Sequence, residues 1–257
     1  MSKEPKRSPL REKPLRQAGQ SVDEQIDHLL DDKWMFYFML ASYWIVVAIL
    51  AWMYRFFPQQ NPLLITLIAV LVSVYATTKA VAVKRQVEQL KLGRQGERVV
   101  GQHLEELRAN GYRVLHDIVA DSFNIDHVLI GPAGIFSIET KTISKPSDPN
   151  AKIAYDGEMV TIAGFIPDRN PVIQAKAEAD WLRKLIKKST GRDVHVRPVV
   201  LYPGWYITPQ PKGVEVWVLN LDAFPAFIYH EELTLTAEYI HLITHHLELH
   251  VRATAKM

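Results

Sequence analysis

Two long apolar runs dominate the first third of the chain. Residues 34–54 (WMFYFMLASYWIVVAILAWMY) contain no charged side chain, and their length matches the ~20 residues an α-helix needs to cross ~30 Å of hydrocarbon. Aromatic residues gather at both ends of this run, Trp34, Phe36, Tyr37 and Phe38 at its start and Trp52, Tyr54, Phe56 and Phe57 at or just beyond its close. Such belts are expected where a helix passes the two headgroup regions. A second run starts at Pro62 and continues past Lys79, which could snorkel to the interface, as far as Val83. The short stretch 55–61 between them predicts a tight turn joining two antiparallel spans. The competing reading, a buried core helix, rarely extends this far without a polar face.

Beyond residue 83 the period changes. A polar helical pattern runs from Lys84 through Gly93 towards Asn110. Extended segments are predicted at 112–118, 126–131 and 134–142, with shorter ones at 152–155 and 159–162. A helix over 171–188 is opened by Asn170 as cap and Pro171 in its first turn, and it closes near Gly191. Strands at 194–201 and 214–219 and a helix at 237–251 complete the pattern. Helix, strand meander, helix and further strands predict an α/β fold. The expected organisation is a basic, largely disordered tail (1–33), two transmembrane helices (34–54 and 62–83), a helical linker (84–92) and a globular domain (93–257).

Charge refines this picture. The formal net charge is +2, from 30 basic and 28 acidic residues, too small to demand a polyanionic partner. Residues 1–92 hold 12 basic and 8 acidic side chains, and residues 93–257 hold 18 and 20, so any nucleic-acid surface must be a local patch. Arg16 and Lys33 flank one side of the apolar pair, and Lys84, Arg85, Lys91 and Arg94 the other, whereas the turn carries only Arg55. The positive-inside rule then predicts an integral membrane protein with both termini and the globular domain in the cytoplasm, in the inner or plasma membrane. The basic tail either attracts anionic lipid headgroups or is a solvated topological signal. The absence of cysteine excludes disulfides and thiolate metal sites.

Candidate chemistry concentrates in 124–141 (NIDHVLIGPAGIFSIETK). Two β-rich runs flank Gly131-Pro132-Ala133-Gly134, a turn signal. A hairpin symmetric about Pro132 and Ala133 sets Asp126 opposite Glu139; a bulge at Gly134 would shift the pairing by one residue and leave them near neighbours. Alternation puts Glu139 and Lys141 on one face, and Phe136 and Ile138 on the other. Two acids and a lysine in an apolar hairpin are costly to bury without a purpose, and paired carboxylates repel unless a cation neutralises them. Hard oxygen donors suit Mg²⁺ or Mn²⁺, and a neighbouring lysine can orient or deprotonate an attacking water. On spacing alone, a solvated strand edge with an ordinary Glu–Lys pair fits equally well.

Asp126 followed by Glu139-Thr140-Lys141 resembles the D…(E)xK signature of the PD-(D/E)XK nuclease superfamily. The surrounding Gly93-x-x-Gly96-Glu97, Asn124-Ile125-Asp126-His127, Gly131-Pro132-x-Gly134-Ile135-Phe136 and Asn170-Pro171-x-x-Gln174 resemble the nuclease-related (NERD) domain over residues 93–201. The resemblance implies a restriction-endonuclease-like core, a mixed sheet flanked by helices, and metal-dependent phosphodiester hydrolysis with DNA as the preferred substrate. Carried over residue by residue, Asp126 and Glu139 would chelate the metal, with the Thr140 carbonyl and Glu97 as further ligands. Lys141 would position the water and Gln174 would support the lysine or the substrate. Glu97 and Gln174 also admit plain structural readings, as a helix-start carboxylate and an exposed helix glutamine. No position departs from the family pattern in a way that argues for inactivity.

Arg183, Lys184, Lys187 and Lys188 form the candidate phosphate-binding face, or else a solvated basic one. Trp205 and Tyr206 either stack on a base or serve the core. His241, His245, His246 and His250 share a helix, but with no third ligand they do not predict a zinc site. The expected function is thus a membrane-anchored nuclease with Mg²⁺ or Mn²⁺, with nucleic acid and the bilayer as partners. A catalytically silent module of the same fold that binds nucleic acid or protein is the alternative. A third possibility gives the hairpin itself the function, through oligomerisation or lipid sensing. The spans lack an acid or a GxxxG motif, which points to an anchor rather than a channel.

Overall fold

The structure is a computed structural model that describes residues 15–53, 62–120, 122–148 and 150–254. It divides into two compact units, Ser21–Arg94 and a second formed by Gln95–Met257 together with Met1–Gln20.

The first unit is helical. α1 (Gln20–His28) passes through a π-helical turn at Leu29–Trp34 into α2 (Met35–Met53), and α3 (Pro62–Glu106) begins here. Ile26 and Leu29 pack on Val83 and Val87, Arg94 pairs with Asp23, and the Trp52 indole N–H donates to Thr66 Oγ1 at 2.8 Å. α1 and α2 therefore run antiparallel to α3. The tail expected to be disordered through residue 33 is helical from Gln20 onward. Val22, Ile26 and Leu29 recur at helical spacing and give it an apolar stripe that Val83 and Val87 cover. Two helices of this unit are long and apolar enough to cross a membrane. Phe38, Ile49, Leu67 and Leu71 are among the large apolar side chains they leave exposed. The expected turn at 55–61 and the aromatic residues Tyr54, Phe56 and Phe57 lie outside the described residues.

The second unit is built on a mixed five-stranded sheet of order β1-β2-β3-β6-β7. β1 (Arg113–Val119), β2 (Asn124–Gly131) and β3 (Gly134–Thr140) form an antiparallel meander, and β6 (Val196–Leu201) and β7 (Trp217–Leu219) add in parallel. The parallel step from β3 to β6 needs a crossover. It contains a small hairpin, β4 (Ile153–Tyr155) with β5 (Val160–Ile162), and α4 (Pro171–Thr190). Asn170 caps α4 by accepting from the Val172 N–H at 3.0 Å, and Gly191 ends it in the left-handed conformation. A short α5 (Phe224–Tyr229) and α6 (Ala237–Thr254) follow β7.

Alternation along the hairpin separates two cores. Leu129, Phe136 and Ile138 meet Val100 and Leu104 of α3 and the apolar side of α5. Val128, Ile130 and Ile135 face the other way, onto Ala179 and Leu182 of α4 and Ile243 and Leu247 of α6. Each face thus has its own helical cover. The first residues of the described chain belong to this unit as well: Leu15 packs at the edge of the α4–α6 core, and Arg16 pairs with Asp117.

Candidate active site

The β2–β3 hairpin keeps the symmetric register without a bulge, from Gly131 opposite Gly134 to His127 opposite Ile138. The next step sets Asp126 level with Glu139, and the Thr140 N–H donates to Asp126 Oδ2 at 2.8 Å. Glu139 in turn pairs in register with Val200 of β6, whose side chain belongs to the core beneath the N-terminal half of α4. The carboxylates therefore sit at one end of the sheet, on the face that α4 covers.

Lys141 follows directly after β3, and its N–H still bonds to the Leu201 carbonyl at 2.8 Å. Its ammonium donates to Glu139 Oε1 at 2.5 Å and to Gln174 Oε1 at 3.0 Å. The Gln174 side-chain N–H then donates to Glu178 Oε1 at 2.8 Å. Gln174 and Glu178 are one helical turn apart on the same side of α4, so a single helix face closes the site. Glu139 and Glu178 are almost wholly buried, at 4% and 1% exposure, and Oε2 of each lacks a hydrogen-bond partner.

Glu97 approaches from α3. A Cβ on Gly96 would lie 1.6 Å from Thr142 Oγ1, so glycine at this position lets α3 pass hard against the chain leaving β3. This close approach brings Glu97 within electrostatic reach of Asp126.

The site is a concentration of negative charge with one cation. Burial pushes the Asp126 carboxyl well above the ordinary carboxylate range, and Glu139, Glu97 and Glu178 push it further, against the Thr140 N–H. Burial and the Glu139 carboxylate raise Glu178 to about 9. Burial works to lower the Lys141 pKa, but Glu139, Asp126 and Glu178 together outweigh it, and the net displacement is upward. Lys141 is accordingly an ammonium at neutral pH.

The donors here are hard carboxylate oxygens, buried and crowded with like charge around a single ammonium. Among the described residues no group of three or more His, Cys, Asp or Glu is gathered to hold a metal ion. Carboxylate oxygens of this kind are the donors that Mg²⁺ and Mn²⁺ take. Thr140 meets Asp126 through its N–H.

The structure thus gathers Glu139, Lys141 and Gln174 through direct contacts, with Asp126 beside them on the Thr140 N–H and Glu97 close by. The basic face of α4 is not part of this group. Arg183 and Lys187 pair with Asp193, and Lys184 pairs with Asp180. Arg183 and Lys188 lie roughly 13 and 21 Å along the helix axis from Gln174. Trp205 is core, its indole N–H bonded to the Ile143 carbonyl at 3.0 Å, whereas Tyr206 is exposed. His241 and His245 stack on each other at the surface of α6. His127, next to Asp126 in sequence, is on the other face, its Nδ1 2.9 Å from that of His116 beneath Gly101 of α3. Glu178 is the site residue that the sequence motif did not single out.

Residues 92–203 match the family model described as the nuclease-related domain, NERD. The match covers the last turns of α3, the first three strands, α4 and β6, and so includes every residue of the constellation. No curated protein and no solved structure matches the chain.

Proposed function

We propose that this protein is a membrane-anchored, Mg²⁺- or Mn²⁺-dependent nuclease that hydrolyses phosphodiester bonds, with DNA as the preferred substrate on family analogy. The observation that carries the proposal is the Glu139–Lys141–Gln174 chain at the end of the hairpin, with Asp126 level with Glu139 and held by the Thr140 N–H, inside the nuclease-related match. Asp126 and Glu139 would hold the metal ion, with Glu97 and the Thr140 carbonyl as further donors. When bound, such an ion polarises a phosphoryl oxygen and lowers the pKa of a bound water. Lys141, held protonated between Glu139 and Gln174, serves as a donor that orients the attacking water and offsets charge developing on the phosphate. It is poorly suited to act as the proton acceptor.

The two apolar helices would be the anchor. Their even number is supported by an independent observation: Leu15 and Arg16, which precede the first apolar run, pack into the same unit as the residues that follow the second. A chain that enters and returns satisfies this; a single span would not. The basic flanks assign that shared side to the cytoplasm.

The test uses the full chain in lipid nanodiscs with labelled DNA and RNA. Cleavage that requires Mg²⁺ or Mn²⁺, stops with chelator, and falls by about 10²–10³-fold or more in Glu139→Ala and Lys141→Ala variants is the expected outcome. Unchanged cleavage in those variants would place the activity elsewhere. No cleavage by a folded chain that binds the metal would leave a binding module of the same fold.

A further inference from the structure

Lys141 can serve as a donor at the reacting centre only if the partner on its far side presents an acceptor. An ammonium has three donors and no acceptor. The Gln174 amide offers an oxygen on one side and an NH₂ group on the other, and a half-turn about its last torsion exchanges them. The face turned to Lys141 is decided by what the other end of the amide meets.

That other end meets Glu178. Its Oε1 accepts from Gln174 Nε2 at 2.8 Å, while Gln174 Oε1 stands 3.0 Å from Lys141 Nζ. Glu178 is 1% exposed and lies on the buried stripe of α4 with Ala175, Ala179 and Leu182. We infer that Glu178 is a positioning residue for the reaction: by accepting from the Gln174 NH₂ it fixes the amide with its oxygen towards Lys141 and so holds the ammonium at the site. This inference deepens the nuclease reading, and its rate measurements rest on that reading.

The consequences follow from acceptor geometry. Glu178→Leu fills similar space in an apolar stripe and removes the acceptor. The amide is then free to turn its NH₂ towards Lys141, where donor faces donor. Glu178→Gln keeps an oxygen at the same place and preserves the orientation. Outer partners of this kind typically account for 10–100-fold in activity, and a group that acts on the transition-state donor changes kcat rather than KM. Glu178 also faces Glu139 directly, so the part of its effect that runs through Gln174 is the part that vanishes once Gln174 is gone, and the two losses do not multiply.

The experiment takes the full chain and its Glu178→Leu, Glu178→Gln, Gln174→Ala and Gln174→Ala/Glu178→Leu variants. Cleavage kinetics are combined with acetic anhydride labelling of Lys141 in metal-free protein, followed by mass spectrometry across pH. The expected result is a roughly 10–100-fold loss of kcat in Glu178→Leu, near-normal turnover in Glu178→Gln, and a double variant whose loss is smaller than the product of the two single losses. Lys141 is labelled faster in Glu178→Leu and Gln174→Ala than in the parent chain. A folded Glu178→Leu variant with parental turnover overturns the inference, as does a double variant with the two losses multiplied. If the parent chain cleaves nothing, the nuclease reading fails and labelling alone decides: Lys141 labelled no faster in Glu178→Leu than in the parent overturns the positioning role.

Discussion

Arg16 and Asp117 meet at 2.6 Å across 101 positions of sequence, and their side chains are only 8% and 3% exposed. Asp117 holds a positive φ of 51°, unusual for any residue except glycine, asparagine and aspartate. In the β1–β2 register it falls between the pairs His116–His127 and Ile118–Ile125, level with Asp126. A guanidinium from ahead of the two long apolar helices thus neutralises a buried acid in the strand row that leads to the candidate site.

Removing one partner of a buried pair leaves an uncompensated charge, which costs about 3–5 kcal/mol. Arg16→Ala is therefore expected to lower the unfolding free energy of the sheet-containing unit by about that amount, measured on the full chain by denaturant titration with tryptophan fluorescence. Asp117→Asn in the same background should recover part of the loss, since asparagine tolerates the backbone conformation and carries no charge. A fragment beginning at residue 84 should show the same defect as Arg16→Ala. Equal stability with and without Arg16 would mean the pair contributes nothing.

Gly93 and Gly96 are both in α3, and alanine should act on them with opposite sign. Nothing lies within 4 Å of a Cβ at Gly93, whereas a Cβ at Gly96 would collide with the Thr142 side chain at 1.6 Å. Helix propensity alone favours alanine by roughly 1 kcal/mol at either position. Gly93→Ala should be stabilising by up to that amount. Gly96→Ala should be destabilising by about 1–3 kcal/mol as α3 is forced off the strand, and it should weaken cleavage by displacing Glu97. Thermal midpoints of the two variants decide this. Two stabilising outcomes would mean Thr142 moves aside freely.

The positions legible in the sequence were those whose physics is local. Asn170, Pro171 and Gly191 delimit α4 by capping chemistry alone, and Gly131-Pro132-Ala133-Gly134 fixes a register that carries Asp126 to Glu139. Partners distant in sequence were not legible. Nothing local marks Arg16 as part of the sheet unit, because its meaning depends on a carboxylate 101 residues away. The helix at Gln20–His28 was hidden by the basic stretch ahead of it, although Val22, Ile26 and Leu29 carried the period. Glu178 was within reach: it interrupts the apolar stripe of Ala175, Ala179 and Leu182. β7 begins at Trp217 rather than 214, a boundary that pairing with β6 sets and composition does not.

The basic residues of α4 offer a prediction against the simplest reading of their charge. Arg183, Lys184 and Lys187 each have an acidic partner within 3 Å, Asp193 or Asp180, and such pairs present less net positive potential to a phosphate than their count suggests. Substituting Lys184 and Lys187 with alanine should leave DNA affinity and its salt dependence nearly unchanged. Each phosphate contact actually lost would reduce the salt slope by about 1. Fluorescence anisotropy over a salt series measures both. A slope reduced by two would restore this face as the nucleic-acid surface.

The raised carboxyls make stability fall as pH rises in the absence of metal. Glu178 has an ordinary value of 4.5 and is pushed up to about 9 by burial and Glu139, and Asp126 is displaced in the same direction. Between those values the folded chain holds a proton that the unfolded chain has released. Raising pH through that window therefore favours unfolding, with a slope approaching about 1.4 kcal/mol per pH unit for one proton. The contribution is complete below about pH 4.5 and is lost as pH climbs through about 9. A divalent cation that replaces the proton reverses the trend, so Mg²⁺ or Mn²⁺ should raise the thermal midpoint more at pH 9 than at pH 6, with proton release on binding visible as a buffer-dependent heat. Glu178→Gln, neutral at every pH, should flatten the metal-free slope. Metal-free stability that is level or rising across this range would show that the carboxyls are charged in the folded protein, with enough positive charge nearby to hold them so.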